Sequence, residues 1–171
     1  MYDPNPQLIE QYRQLYEKGN FWGSSILKHV YEISKLVRET DSCTLLDYGC
    51  GAGNQYADAG CHLYWGGILP ALYDPAISRY SERPMGRFDG IICSDVAEHI
   101  PEEEIDDFLK DVFNYAAKFV FFSICCRPAR KSLPDGRNCH LTIQPQDWWI
   151  RRIDEASNKR IDMAIRIAWN P

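Results

Sequence analysis

A glycine turn placed directly after a strand sets the strongest limit on what this chain can fold into. The stretch reads Thr44-Leu-Leu-Asp-Tyr-Gly-Cys-Gly-Ala-Gly-Asn-Gln-Tyr56, and its first half predicts the end of a short buried strand. Glycine then occupies alternate positions, Gly49, Gly51 and Gly53. Glycine tolerates positive φ and has no Cβ, so a backbone that turns sharply into a helix beside a ligand requires it. We therefore predict an α/β fold with a doubly wound, mostly parallel sheet flanked by helices.

The acid inside this turn indicates which kind of ligand it holds. The pattern is D-x-G-x-G-x-G, with Asp47 as the acid, and not the G-x-G-x-x-G of dinucleotide-binding proteins. A carboxylate at this position would repel a pyrophosphate and attract an ammonium group. The stretch resembles the first motif of the class I S-adenosylmethionine-dependent methyltransferases, which have a Rossmann-like fold. The resemblance implies S-adenosylmethionine as the cofactor, held by five residues of the turn: Asp47, Gly49, Cys50, Gly51 and Gly53.

A second acid follows at a distance that suits the same ligand. Asp74 ends a predicted strand within residues 70–77 and lies 21 residues after Gly53. In dinucleotide folds a carboxylate about 20 residues after the glycines accepts hydrogen bonds from ribose hydroxyls. The resembling family uses the same device, so we predict the ribose contact for Asp74. Residues 78–87 are short and polar, and we expect the family's third strand to be missing there, which leaves the adenine contact unassigned.

The stretch Phe88-Asp-Gly-Ile-Ile-Cys-Ser-Asp-Val-Ala-Glu-His-Ile100 is the second informative motif. It is similar to the fourth motif of the same family, F-D-x-I-x-x-x-D/E-V-x-E-H-I. We expect Asp95 at the carboxyl end of its strand, where open α/β sheets keep their ligands, and we assign Asp95 to cofactor binding. The resemblance covers about residues 40–125. It also implies an antiparallel hairpin at the end of the sheet, with the last strand within 160–169.

Methyl transfer to a hydroxyl or an amine requires in-line placement of the acceptor and a base for its proton. Two histidines are candidates for that base: His99, in the second motif, and His140, in the loop after a predicted strand at 119–124. The alternative for His99 is a structural role at the start of a helix. The alternative for His140 is a hydrogen bond within its own loop.

A metal site is a further reading of the same region. Two carboxylates and two imidazoles, from Asp95, Glu98, His99 and His140, would suit a borderline divalent ion. Small-RNA 2′-O-methyltransferases and ubiquinone-pathway O-methyltransferases look similar here and use such an ion, so a metal-assisted RNA 2′-O-methyltransferase is an alternative function. Their first ligand is glutamate, and the shorter Asp95 weakens the comparison. These residues permit a divalent metal, but we do not expect one.

The acceptor is predicted to be a small molecule. The net charge of −5 disfavours nonspecific binding to nucleic acid, yet residues 118–171 hold 10 basic and 5 acidic side chains, which permits an anionic acceptor. We expect the polar loop 125–144 to form one wall of the acceptor pocket, with Arg137 and His140 facing the acceptor. Trp22, in the N-terminal segment, is a second candidate for substrate binding, with packing between helices as its alternative.

Length and composition are typical of one globular domain, residues 1–171, in which 1–40 form an N-terminal helical lid and 41–171 the core. No run approaches the roughly 20 apolar residues of a membrane helix, and the first residues do not resemble a signal peptide, so we expect a cytoplasmic protein. Seven cysteines without a C-x-x-C pair are expected to be reduced thiols. The sequence predicts no oligomeric state. A methyltransferase-like protein that binds S-adenosylmethionine without transferring its methyl group is the second functional alternative.

Overall fold

The computed structural model describes residues 2–19, 25–158, 160 and 162–170. Its strands form one parallel sheet in the order β2-β1-β3-β4-β5. The strand bounds are β1 (Leu45–Tyr48), β2 (Ala71–Tyr73), β3 (Phe88–Ser94), β4 (Ala116–Cys125) and β5 (Ala164–Asn170). The predicted α/β fold with a parallel, doubly wound sheet is confirmed.

Helices cover both faces of this sheet. They are α1 (Pro6–Glu17), α2 (Val30–Glu39), α3 (Asn54–Ala57), α4 (Ile105–Tyr115) and α5 (Gln146–Ala156). Helix α1 begins where the sequence provides a cap, because the side chain of Asn5 accepts hydrogen bonds from two backbone amides of the first turn. Helices α4 and α5 pack on one face of the sheet, whereas α2 and the 3₁₀ turn Cys61–Trp65 pack on the other.

The order of the strands determines where a ligand can bind. Strand β1 pairs with β2 on one side and with β3 on the other, so the direction of winding reverses between β1 and β3. In open α/β sheets the crevice outside the carboxyl ends of the strands at such a reversal is the usual binding site. The glycine turn follows β1 and Asp95 follows β3. Both motifs therefore lie at this crevice.

The expected antiparallel hairpin at the end of the sheet is wrong. Strand β5 pairs with β4 in parallel, from Ala164 opposite Phe119 to Asn170 opposite Cys125. Helix α5 crosses between the two strands, and a strand–helix–strand connection within one sheet produces parallel pairing. Between β2 and β3 the chain forms no strand and only one short 3₁₀ turn, Ser78–Tyr80.

The N-terminal segment divides into two parts with different packing. Helix α2 belongs to the core on one face of the sheet. Helix α1 instead packs on the loop after β4, through a small separate cluster of Leu8, Leu15, Leu133 and Cys139. Helix α1 is therefore packed against the loop after β4, whereas α2 is part of the core on the sheet.

All seven cysteines lie in the described part of the chain and are free thiols. Three of them, Cys61, Cys93 and Cys139, are fully buried and pack as small apolar residues. None of the helices within the described ranges combines the length and the apolar composition that a membrane span needs.

Gly90 is a tight packing point between β3 and β4. A Cβ placed on Gly90 would lie 2.0 Å from Cε1 of Phe119, a ring that is fully buried in the core. We expect Gly90→Ala to lower the free energy of unfolding by about 1–3 kcal/mol, which is the usual cost of overpacking a core. Urea denaturation measures this loss.

The double variant Gly90→Ala/Phe119→Leu is the control for that explanation. If the clash with the ring is the cause, the double variant should lose less stability than the sum of the two single variants. Strictly additive losses would contradict it.

Candidate functional site

A cavity of about 900 Å³ opens at the carboxyl edge of the sheet. Small-molecule sites have volumes of roughly 300–1,000 Å³, so this cavity is at the large end of that range. Its walls are the glycine turn, the loop after β3, the loop after β4 and helix α1. It brings together eight of the predicted site residues: Asp47, Gly49, Cys50, Gly51, Asp74, Asp95, His99 and His140.

Four other predicted residues do not line this cavity or lie outside the described residues. Gly53 is the N-cap of α3, where its φ of 71° is in the left-handed region. Glu98 is fully buried. Arg137 forms an exposed ion pair with Asp135, with a distance of 2.8 Å between Nη2 and Oδ2. Trp22 is among the residues that the structure does not describe, so its predicted role in substrate binding lies outside the described residues.

The glycine turn is held against the end of β2. The backbone amides of Gly49 and Cys50 both donate to the carbonyl oxygen of Tyr73, at 2.7 and 3.1 Å. Gly49 has a φ of 83°, and a Cβ on it would lie 2.4 Å from Cγ2 of Val96. Glycine is therefore required here both for the backbone conformation and for the close approach of the loop after β3.

Asp47 is a buried carboxyl group at the inner end of the cavity. Its Oδ2 accepts hydrogen bonds from Nε2 of Gln55 at 3.0 Å and from the hydroxyl of Tyr56 at 2.9 Å. Burial raises the pKa of Asp47 to about 7, and these two hydrogen bonds oppose that rise. No basic side chain of the described residues pairs with Asp47. A ligand cation would therefore meet a carboxyl group that has no other counter-ion.

Gln55 is a site residue that the sequence did not reveal. Its Nε2 binds Asp47 and the carbonyl oxygen of Cys50, while its Oε1 is buried without a hydrogen-bond partner. The residue lines the cavity. A buried oxygen without a donor is costly, so a ligand donor such as an ammonium group fits this position. The only sequence signal was its place in the first turn of the helix that follows the glycines.

Asp74 ties three segments of the cavity wall together. Its Oδ1 accepts from the amide of Ala76 at 2.9 Å, and its Oδ2 accepts from the amide of Gly51, also at 2.9 Å. The hydroxyl of Tyr16, on α1, donates to the same Oδ2 at 3.4 Å. Burial raises the pKa of Asp74, and the two backbone hydrogen bonds oppose that rise. A ribose hydroxyl would take the position of the Tyr16 hydroxyl.

Asp95 occupies the corner after β3 in an uncommon backbone conformation, with a φ of 54°. Its Oδ1 accepts a hydrogen bond from the hydroxyl of Ser123 at 2.9 Å and another from the side-chain amide of Asn170. Asp95 thus lines the cavity as predicted, but it is also part of a polar cluster that joins the ends of β3, β4 and β5.

The two candidate bases lie against each other. The rings of His99 and His140 meet edge to face, with centroids 4.9 Å apart. Nδ1 of His99 lies 2.8 Å from the carbonyl oxygen of Cys139, and Nδ1 of His140 lies 2.5 Å from that of Arg127. A carbonyl oxygen only accepts, so Nδ1 is the donor in both contacts, and the neutral form of each ring has its lone pair on Nε2. Burial and the neighbouring His140 lower the pKa of His99 to about 4.

Hydrogen bonds made by nearby groups hold these two histidines in place. Tyr12, on α1, donates from its hydroxyl to the carbonyl oxygen of Cys139 at 2.8 Å, the same oxygen that His99 uses. Glu98 accepts a hydrogen bond from the amide of Cys125 at 3.0 Å, and its carbonyl oxygen accepts from the amides of Leu141 and Thr142. The loop after β4 is thereby fastened to the second motif on both sides of His140.

The structure does not assemble the predicted metal ligands into one set. Asp95 accepts a hydrogen bond from Ser123, Glu98 is not among the residues that line the cavity, and burial raises the pKa of Glu98 to about 8. Across residues 2–19, 25–158, 160 and 162–170, no group of three or more His, Cys, Asp or Glu side chains is arranged to hold an ion. We therefore derive no chemical step through a metal.

No protein-family model and no curated protein sequence matches the chain. The function proposed for the chain therefore rests on the geometry of this cavity and on the two sequence motifs that line it.

Proposed function

We propose that this protein is an S-adenosylmethionine-dependent methyltransferase that acts on a hydroxyl or an amine of a small acceptor. The observation that carries the proposal is the meeting, at one end of a single large cavity, of the glycine turn with two buried acids. Asp47 has no ion-pair partner among the described residues, and Asp74 accepts a hydrogen bond from the amide of Gly51. This end of the cavity is therefore acidic and lies against the backbone of the glycine turn. These features suit a ligand with an ammonium group and a ribose.

Different residues at this end of the cavity would bind different parts of the cofactor. Asp47 and the Oε1 of Gln55 would accept hydrogen bonds from the ammonium group of its methionine part. Asp74 would accept from the ribose hydroxyls. Gly49, Cys50 and Gly51 would lie beside the cofactor without side chains that hold it away, except for the buried thiol of Cys50. Asp95, with its neighbour Val96, borders the remaining part of the cavity.

When bound, S-adenosylmethionine would supply a methyl group that leaves its sulfonium sulfur, with both electrons of the carbon–sulfur bond remaining on sulfur. The acceptor's oxygen or nitrogen forms the new bond to carbon and gives up its proton. We assign that proton to Nε2 of His140, because the Nδ1 of His140 is committed to the carbonyl of Arg127. His99 is the weaker base, since its pKa is lowered to about 4, and its contact with His140 makes it a positioning residue.

Calorimetric titration with S-adenosylhomocysteine tests cofactor binding, and its pH dependence tests the role of Asp47. The raised pKa of about 7 means that the free protein holds a proton on Asp47 below that pH. An ammonium group favours the ionised carboxylate, so binding must expel this proton. We expect affinity to be constant above about pH 7 and to fall by up to tenfold per pH unit toward about pH 5.

The matched control is Asp47→Asn, which keeps the size of the side chain and removes its titration. This variant should bind more weakly at about pH 7 and should lose most of the slope. A wild type that gives no heat with either S-adenosylmethionine or S-adenosylhomocysteine would overturn the proposed cofactor. Binding without any release of S-adenosylhomocysteine, over a broad panel of acceptors, would favour the binding protein without transfer activity.

A further inference from the structure

The cavity has two ends of opposite charge. The inner end carries the acids Asp47, Asp74 and Asp95. The rim carries four basic residues: Lys28, Arg127, Arg130 and Lys131. A chain with a net charge of −5 thus concentrates cations around one opening. Such a separation matches two ligands of different charge, one positive and one negative, bound next to each other.

Three of the four rim cations are not neutralised by acids of the described residues. Within the described part of the chain no carboxylate forms an ion pair with Lys28, Arg127 or Arg130. All three side chains are exposed. Arg137, which is in the same loop but outside the cavity, is by contrast paired with Asp135. Arg127 and Arg130, which line the cavity, thus lack the kind of ion pair that Arg137 forms outside it.

The positions of these residues relative to the proposed base define what they could bind. The carbonyl oxygen of Arg127 holds Nδ1 of His140, so the backbone that carries one rim cation also orients the base. Lys28 lines the same cavity from a different segment of the chain, just ahead of α2. An acceptor held at the rim by a negative group would extend its hydroxyl or amine inward, toward His140.

We infer that the rim residues Lys28, Arg127 and Arg130 form the binding site for the negative group of an anionic small-molecule acceptor, a carboxylate or a phosphate. This inference rests on the proposed methyltransferase function, because it assigns the second half of the same cavity. Arginine suits the role, since its planar group makes paired hydrogen bonds to the oxygens of either anion. The acceptor is thus held at one end by charge and at the other by the base.

Pyrophosphate and citrate are the probes, titrated into the protein with and without S-adenosylhomocysteine. Wild type should bind at least one of them, and Arg127→Gln/Arg130→Gln should weaken that binding by at least about tenfold, as expected for lost hydrogen bonds to a charged group. Arg151→Gln, which removes an exposed charge outside the cavity, is the matched control and should bind like wild type. A preference for pyrophosphate identifies phosphate, and a preference for citrate identifies carboxylate.

Three results would overturn the inference. One is the absence of heat with both anions, and another is an equal loss in Arg151→Gln, which would indicate nonspecific screening of charge. The third is binding of a short single-stranded RNA far more tightly than either anion, with the same double variant abolishing it. Binding of S-adenosylhomocysteine tests the proposed cofactor and not the anion site. If that ligand fails to bind while the anions still do, the proposed cofactor is wrong and the anion site remains.

Discussion

Replacing His140 by alanine should slow methyl transfer about 100- to 10,000-fold, the usual contribution of a positioned general base. The reason is the fixed orientation of the ring, in which Nδ1 donates to the carbonyl of Arg127 and Nε2 is left to accept the acceptor's proton. The rate is measured as release of S-adenosylhomocysteine with an acceptor found by screening. Binding of S-adenosylhomocysteine should stay within about twofold of wild type, because His140 is assigned to the acceptor half of the cavity.

Two further variants test whether the loss of rate is specific to His140. His62→Ala removes a histidine outside the cavity and should leave the rate unchanged. His99→Ala should lower the rate less than His140→Ala, since His99 acts through its neighbour and is neutral down to about pH 4. The opposite ranking of the two variants would transfer the role of base to His99. An unchanged rate in both would leave the cavity without a base.

Asp74→Ala is expected to weaken the binding of S-adenosylhomocysteine about 5- to 150-fold. That range corresponds to about 1–3 kcal/mol, the cost of leaving buried hydrogen-bond partners unsatisfied. Two kinds of partner are at stake: the ribose hydroxyls of the ligand and the amides of Gly51 and Ala76 within the protein. Calorimetry on S-adenosylhomocysteine alone does not separate them.

The 2′-deoxy analogue of S-adenosylhomocysteine separates the two contributions. If Asp74 binds the ribose, removing the 2′-hydroxyl should weaken binding to wild type but have little further effect in Asp74→Ala. If Asp74 only holds the glycine turn, the variant should lose the same factor with both ligands, and the ribose assignment would be wrong. Asp74→Asn keeps one acceptor oxygen and should give an intermediate loss.

The parts of the fold that the sequence predicted well are those encoded by local chemistry. Positive φ at Gly49 and Gly53, and a strand that ends just before Asp74, follow from the residue types at these positions. Strand direction at the end of the sheet is different, because the residues of β5 do not specify it. Helix α5, which precedes β5, indicates the direction of that strand, since a crossover helix favours parallel pairing. The family resemblance instead implied an antiparallel hairpin.

The site was predictable only where a residue's role depends on its position along one strand or turn. Eight predicted residues meet in one cavity because the carboxyl ends of neighbouring parallel strands must meet. Arg137 and Arg127 lie in the same polar loop, and nothing in their sequence context tells which one turns toward the cavity. Gln55 and Tyr16 contribute through contacts across 8 and 58 residues of chain, and such pairings require the folded structure.

The hydrogen bond from Tyr16 to Asp74 makes helix α1 a competitor of any ligand that uses the same carboxylate oxygen. The dissociation constant observed for such a ligand is the intrinsic constant divided by the fraction of molecules in which that oxygen is available. A preference of about 1.4 kcal/mol for the contact would thus raise the observed constant about tenfold. The packing of α1 on Leu133 and Cys139 also lowers the fraction of molecules in which that oxygen is available. Substitutions on α1 would therefore change the ligand concentration at which the protein is half-saturated, even where they alter no contact with the ligand.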